Sequence, residues 1–271
     1  MAGRAQGASH MKLGLGPIDL KGATRSRLES LGAQAVASSF DAVWVSESRA
    51  EGVGGGLASA AMLGQAVPIR VGAAVDAGLY HPLHLAEDIA IADLTSQGRV
   101  EVLLRFATTG ASRYREPDQH GWFEEFLGVM AAALSGAHFQ WNGEHLRVPA
   151  RLSANQPAPE RLALNPRAAQ PAVPIWVEAP GESLEALARD LGFGIAAHFK
   201  PGAAVPARTG RWPGMVLCRA NADPNDLLAA AGESAGYFLI AAETRQEAAS
   251  AGKRLAGPMR MPDFPEWIGH E

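Results

Sequence analysis

The chain repeats one unit many times over: a short apolar run, then a stretch with helical spacing, then another short apolar run. The runs are "MKLGLGP" (11–17), "DAVWVSE" (41–47), "IRVGAAV" (69–75), "RVEVLLR" (99–105), "VPIWVEA" (173–179), "FGIAAHF" (193–199), "GMVLCRA" (214–220) and "GYFLIAAE" (236–243). The run at 41–47 is continuously apolar rather than alternating, which is the mark of a parallel strand buried on both faces. Between them lie helical patterns over 24–39, where Leu28, Leu31, Ala35 and Val36 share a face, and over 119–136, 182–192, 223–234 and 244–257. A glycine-loosened loop opens another helix in "VGGGLASAAMLGQA". One more helix starts at Pro82 and runs to about Ser96, with Gly98 as its stop.

Eight strands in a strand-then-helix rhythm close most naturally into a (β/α)8 barrel, an α/β fold of the TIM type. The rival is an open doubly wound sheet, which calls for a G-x-G-x-x-G fingerprint after the first strand. "GLGPID" at 14–19 places Asp19 at the third glycine. Two departures from a plain barrel are expected. Asn142-Gly143 within "HFQWNGEHLRV" (138–148) signals a small hairpin inserted before the fifth strand, followed by a long loop over 150–173. Residues 200–213, after the sixth strand, carry no helical pattern and read as a shortened segment.

Composition narrows the function classes. The 271 residues are 47% hydrophobic, enough for one sizeable core, with net charge -4. No basic stripe suits nucleic acid or a membrane surface, and no apolar run reaches the roughly 18 residues of a membrane span. Cys218, the single cysteine, sits in an apolar run and reads as a core residue. Residues 1–10, "MAGRAQGASH", lack a signal-peptide core and read as flexible or tag-like. A single domain over 11–271 in the cytoplasm is the expectation.

Chemistry in such a barrel sits past the C-terminal ends of the strands. By that rule His198, near the end of the sixth strand, is the first acid–base candidate. His81, His84, Glu87 and Asp88 cluster on one helix, whereas barrel metal sites draw ligands from several strand ends, so no metal is expected. Neither a G-x-S-x-G elbow nor a Walker loop is present. A hydrolase using His198 with Glu47 or Asp76 is a weaker possibility, because no nucleophile accompanies them.

The ordered set "FDAVWVSES", "IRVGAAV", "HPLHLAEDIAIADLTSQGR", "NGEHLRVP" and "PAVPIWVEAPGESLEALARDLGFG" resembles the bacterial-luciferase-like flavin-dependent monooxygenases. The resemblance runs from about residue 12 to 199 and more weakly over 214–262. It implies a (β/α)8 barrel, a dimer packed through helices of its first half, and reduced FMN or a deazaflavin at the C-terminal mouth. In FMN members O2 is activated as a flavin hydroperoxide. The same resemblance implies a non-prolyl cis peptide at Ala74–Val75 beneath the flavin ring. Glu47 is retained, while Ser48 stands where a histidine is usual. Arg105 is placed to meet a phosphate or an anionic flavin. Phe106 has the competing reading of filling the ring's space, and Thr108 and Thr109 could add hydroxyls. His120 stands at the place of a phosphate-binding arginine, and Gly181, Glu182 and Ser183 open the helix expected to cradle the phosphate.

Two functions follow from the resemblance. One is a monooxygenase acting with reduced FMN and O2 on a small organic substrate, supplied by a flavin reductase and assembled as a homodimer or a heterodimer with a homologue. The other is a non-catalytic relative serving as partner subunit or ligand binder.

Overall fold

Neighbouring barrel strands run parallel, with one register shift between Leu15 and Ile18 of the first strand, so each is hydrogen-bonded on both sides and no barrel edge is left. The computed structural model describes residues 11–19, 24–47, 55–106, 119–149, 161–179, 181–202, 205–231, 236–242 and 244–256. Strand β1 (Met11–Asp19) leads to α1 (Arg25–Ala37), β2 (Ala42–Ser46), α2 (Gly56–Ala66), β3 (Arg70–Asp76), α3 (Pro82–Thr95), β4 (Val100–Arg105) and α4 (Gln119–Leu134). A small hairpin, β5 (Trp141–Asn142) and β6 (Arg147–Val148), intervenes before β7 (Ile175–Glu178). The chain then forms α5 (Glu182–Asp190), β8 (Gly194–His198), β9 (Gly214–Arg219), α6 (Pro224–Ala231), β10 (Gly236–Ala241) and α7 (Arg245–Ala256). The closed order is β1-β10-β9-β8-β7-β4-β3-β2, a (β/α)8 barrel with the hairpin before its fifth strand. No helix is described between β8 and β9, so the segment after the sixth barrel strand is short.

Local chemistry sets the element ends. Helix α3 begins with Pro82 at its first turn and the His81 ring accepting the Leu83 amide at 3.3 Å. It ends where Gln97 and Gly98 take φ of 59° and 76°, and the Gly98 amide returns to the Asp93 carbonyl at 2.8 Å.

Side chains alternate between the barrel axis and the helical layer. The outward set, including Val43, Val45, Val71, Val75, Val102, Leu104 and Phe106, merges with the helices into the main core. The inward set forms a second core around Trp44, Leu103, Trp176, Met215 and Tyr237. Trp44 stands edge-on to Trp176 and Tyr237, with ring centroids 6.2 and 6.0 Å away. Glycines make room for the two indoles: a Cβ on Gly72 would lie 2.0 Å from the Trp44 ring, and one on Gly194 would lie 2.4 Å from Trp176. The barrel's middle is therefore solid, and a ligand is left with the rim.

The N-terminal end of the barrel is closed by buried charge. Glu101 on β4 accepts from Lys12 and Arg70 on one oxygen and from the Tyr237 hydroxyl, at 2.6 Å, on the other. Trp44 Nε1 donates to the Tyr237 oxygen at 2.6 Å. Arg70 also donates to Gln170, whose amide donates to Asp93 at 2.6 Å.

Candidate active site

The C-terminal rim is assembled from strand ends. Continuing each strand's alternation past the inner core points Ser46, Ala74, Asp76, Arg105, Glu178 and His198 toward the mouth. Asp76 pairs in register with Arg105, and Arg105 with Glu178. A row of alternating charge thus crosses β3, β4 and β7. His198 on β8 closes it, with Nε2 3.0 Å from Glu178 Oε1. A carboxylate is acceptor-only, so Nε2 carries the hydrogen and donates it. Arg105 reaches across to the Ala74 carbonyl at 3.4 Å. Asp76 caps the turn beyond β3, accepting the Gly78 amide at 3.1 Å.

Several expected site residues lie elsewhere. Glu47 sits at the end of β2 but is 4% exposed and bound to the scaffold. It accepts from the Gly55 and Asp76 amides, both at 3.3 Å, and from the Tyr80 hydroxyl. Burial pushes its carboxyl above the ordinary range against those hydrogen bonds, and the same burial, with Glu47 beside it, pushes the Tyr80 hydroxyl up. Glu47 therefore pins the end of β3 to the start of α2 rather than facing the mouth. The carboxylate partner of His198 is Glu178, not Glu47 or Asp76. Val75 points outward into the helical core, and only Ala74 of that pair belongs to the barrel's inner face. The Ala74–Val75 bond is trans: the cis peptides among the described residues are Gly16–Pro17, Val148–Pro149 and Asn165–Pro166. Phe106 also points outward, packed edge-on against Phe123 and Phe126 on α4 at 4.7 and 5.7 Å. It does not fill the space over the mouth, because it falls one residue out of phase with Arg105.

His120 lies in the first turn of α4 and pairs with Glu124 at 3.2 Å, mostly exposed. Ser48, Thr108 and Thr109 lie outside the described residues. Gly181 is the N-cap of α5 and offers no side chain, so the first amides of the helix, at Glu182 and Ser183, have no side-chain cap. A Cβ at Gly181 would meet nothing within 4 Å, so the helix start is open to an anion. Glu182 and Glu185 in its first turn oppose that charge, and Glu185 is held by Arg189.

This set fits a flavin in outline. A small residue, Ala74, and a guanidinium share the mouth, and an open helix start lies on the element after β7. The structure places His198 and Arg105 at the mouth and sets beside them Glu178, which was not among the expected residues. Its signal was available: Glu178 is the last residue of "IWVE" and in phase with Trp176. His84 and Glu87 pair at 3.2 Å on the surface of α3, and no cluster able to hold a metal occurs among the described residues.

A family model described as luciferase-like monooxygenase matches residues 13–258. Among solved structures, the monooxygenase RslO1 from Streptomyces bottropensis superposes with TM-score 0.62 at 16% identity, over 91% of this chain and 97% of that one. The oxygenating constituent of 3,6-diketocamphane monooxygenase from Pseudomonas putida, in complex with FMN, gives 0.53 at 18% identity over 71% and 57% of the two chains. The coenzyme F420-dependent tetrahydromethanopterin reductase from Methanopyrus kandleri gives 0.52 at 14% identity over 92% and 63%. At these identities the likeness is one of fold. No curated protein sequence matches the chain.

Proposed function

The chain belongs to the luciferase-like monooxygenase family, and from that premise we propose that it is a flavin-dependent monooxygenase using reduced FMN and O2 on a small organic substrate. The observation that carries this reading is the mouth itself: Arg105 beside Ala74, on a solid barrel core, with the uncapped start of α5 on the element after β7. A bound reduced flavin supplies the electrons that O2 accepts. The chain's own residues bind and orient. Arg105 meets negative charge on the cofactor or substrate, and the α5 amides hold a phosphate. Ala74 leaves room for a flat ring. Trp44 and Trp176 keep water from entering below, and Glu47 fixes the ends of β2 and β3 that frame the rim.

A deazaflavin would use the same groups, so titration decides between the two. The reading further places the chain in the cytoplasm, with a flavin reductase supplying reduced cofactor; no helix among the described residues is long and apolar enough to cross a membrane. It also makes the protein a homodimer, or a heterodimer with a homologue. All the large exposed hydrophobics of the described residues, Val36, Met62, Ile91 and Leu94, lie on α1, α2 and α3. A second reading, a non-catalytic partner subunit or ligand binder, draws on Glu182 and Glu185 at the α5 start and on His120 being engaged by Glu124.

Equilibrium titration with FMN and a deazaflavin, each oxidised and reduced, tests the proposal. One cofactor bound per chain is expected, weakened about tenfold or more by Arg105→Met, the size of one lost charge-assisted hydrogen bond. Absence of binding for every form at high micromolar concentration overturns it. Light scattering on the same sample reads the dimer.

A further inference from the structure

We propose that Glu178 and His198 form a proton-accepting dyad at the mouth, and that the substrate it serves is an ionisable phenol or enol. The inference rests on the flavin reading for its oxidative half, but the proton half stands on the geometry. Glu178 Oε1 and His198 Nε2 are 3.0 Å apart, on adjacent parallel strands β7 and β8. With Nε2–H committed to the carboxylate, the tautomer is set and Nδ1 is left as an acceptor. The His198 side chain is 67% exposed and that of Glu178 27%, so a ligand at the rim can reach the ring while the carboxylate stays behind it. A pair so exposed adds little to stability. Its ordering is better understood as orientation of the ring.

The groups around the dyad define what it can deprotonate. Arg105 on β4 is the register partner of Glu178, and Asp76 on β3 is the register partner of Arg105. Lys200 follows His198 by two residues, and Arg219 ends β9, whose Leu217 is the register partner of His198. Three cations therefore share the rim with the dyad, with Asp76 beside Arg105 and the Glu178 carboxylate assigned to the imidazole. A neutral imidazole accepts protons from acidic O–H groups, not from alkyl C–H bonds. The step is simple to balance. The substrate O–H bond breaks, its electron pair stays on oxygen, and the proton passes to Nδ1. Glu178 stabilises the imidazolium, and Arg105, its register partner on β4, is a cation on the same rim for the new oxyanion. The imidazolium then returns its proton to solvent. An electron-rich phenolate or enolate is also the form most open to oxidation. His198 is the catalytic residue in this scheme, and Glu178 is a positioning residue.

Two measurements on the full chain test this without turnover. The first is the nitrogen NMR signature of His198. The Nε2–H tautomer should dominate in the wild type, lose its bias in Glu178→Gln, and regain it in Glu178→Asp. The second uses a chromophoric nitrophenol at a pH where it is mostly protonated in water. Wild-type protein should develop the nitrophenolate absorbance on binding, and His198→Asn should weaken binding of the ionised form about tenfold, one charge-assisted hydrogen bond. Mixed tautomers in the wild type, or equal nitrophenolate signal with and without His198, would overturn the dyad. If flavin fails to bind while both signatures are present, the monooxygenase reading falls and the proton-accepting site stands. If flavin binds and both signatures are missing, the reverse holds.

Discussion

At the N-terminal end of the barrel Lys12, Arg70, Glu101 and Tyr237 are 1%, 7%, 1% and 0% exposed; at the C-terminal end the side chains of Glu178 and His198 are 27% and 67% exposed. Both ends place carboxylates beside cations from other strands, yet the surroundings give those pairs different work. Below, water is excluded, and each polar atom of Glu101 is matched by a donor from another strand. Burial alone would raise the Glu101 carboxyl, but Lys12 and Arg70 together hold it below the usual range. Above, solvent screens the charges and leaves atoms free to meet a ligand. The same chemical groups lock a fold where they are dry and serve chemistry where they are wet.

The sharpest way to break that contrast is to remove one charge from the dry end. Glu101→Gln leaves Lys12 and Arg70 buried around a neutral amide. Breaking one side of a buried ion pair costs about 3–5 kcal/mol, and urea unfolding should show a loss of that size. A loss under about 1 kcal/mol would mean that the lower end is wetter than its geometry.

Glu47 stands between the two regimes: it is at the upper end but buried like the lower one. Glu47→Ala strands the Gly55 and Asp76 amides and the Tyr80 hydroxyl. A cost of about 1–3 kcal/mol is expected from the unsatisfied groups. Thermal unfolding measures it, and flavin affinity in the same variant shows how far the rim depends on this tie.

Proton linkage offers a smaller effect at the lower end. Burial pulls the Lys12 ammonium down to about 8 from its ordinary 10.5, against the upward pull of Glu101. Between those values the unfolded lysine still holds a proton that the folded one has shed. The unfolded state therefore binds more protons, and stability rises with pH by at most about 1.4 kcal/mol per unit. Lys12→Met should lose that rise. The comparison belongs between about pH 8 and 9, because Cys218, pushed up to about 12 by burial, and Tyr237, also raised, pull the other way at higher pH. Urea midpoints for both proteins across that window check it.

The barrel itself was legible because its signals are local: apolar runs of strand length, Gly98 ending α3, Asn142-Gly143 turning the hairpin. The facing of individual residues was not. In strands buried on both sides the apolar pattern continues on each face, so nothing in "VEVLLRF" tells that Arg105 turns in and Phe106 turns out. That phase decided whether Phe106 blocks the mouth. Pairings across strands were hidden for another reason. Glu101 meets Lys12 across 89 residues of chain and Tyr237 across 136. Only closure of the barrel brings these partners, from strands that are not neighbours of β4, to Glu101 on its inner face. The phase of Glu178 was readable from Trp176 in "IWVE", but its contact with His198 appears only once β7 and β8 lie side by side. The hydrolase reading named Glu47 or Asp76, where the structure pairs His198 with Glu178.

The smallest expected effect on stability tests the upper end most directly. Glu178→Gln and His198→Asn remove a pair that is largely in water, so each should shift unfolding by no more than about 0.5 kcal/mol. If the dyad accepts the substrate proton, the same substitutions lower kcat while leaving flavin affinity unchanged, because neither residue is assigned to the cofactor. A structural role would give the opposite split, with stability lost and kcat per folded molecule retained. Measuring Tm, flavin Kd and kcat on one preparation of each variant separates the two. The lower end offers the internal control: Lys12→Met alters a charge of equal size on the same sheet, yet it should leave kcat at neutral pH untouched, since the solid layer of Trp44 and Trp176 lies between it and the mouth.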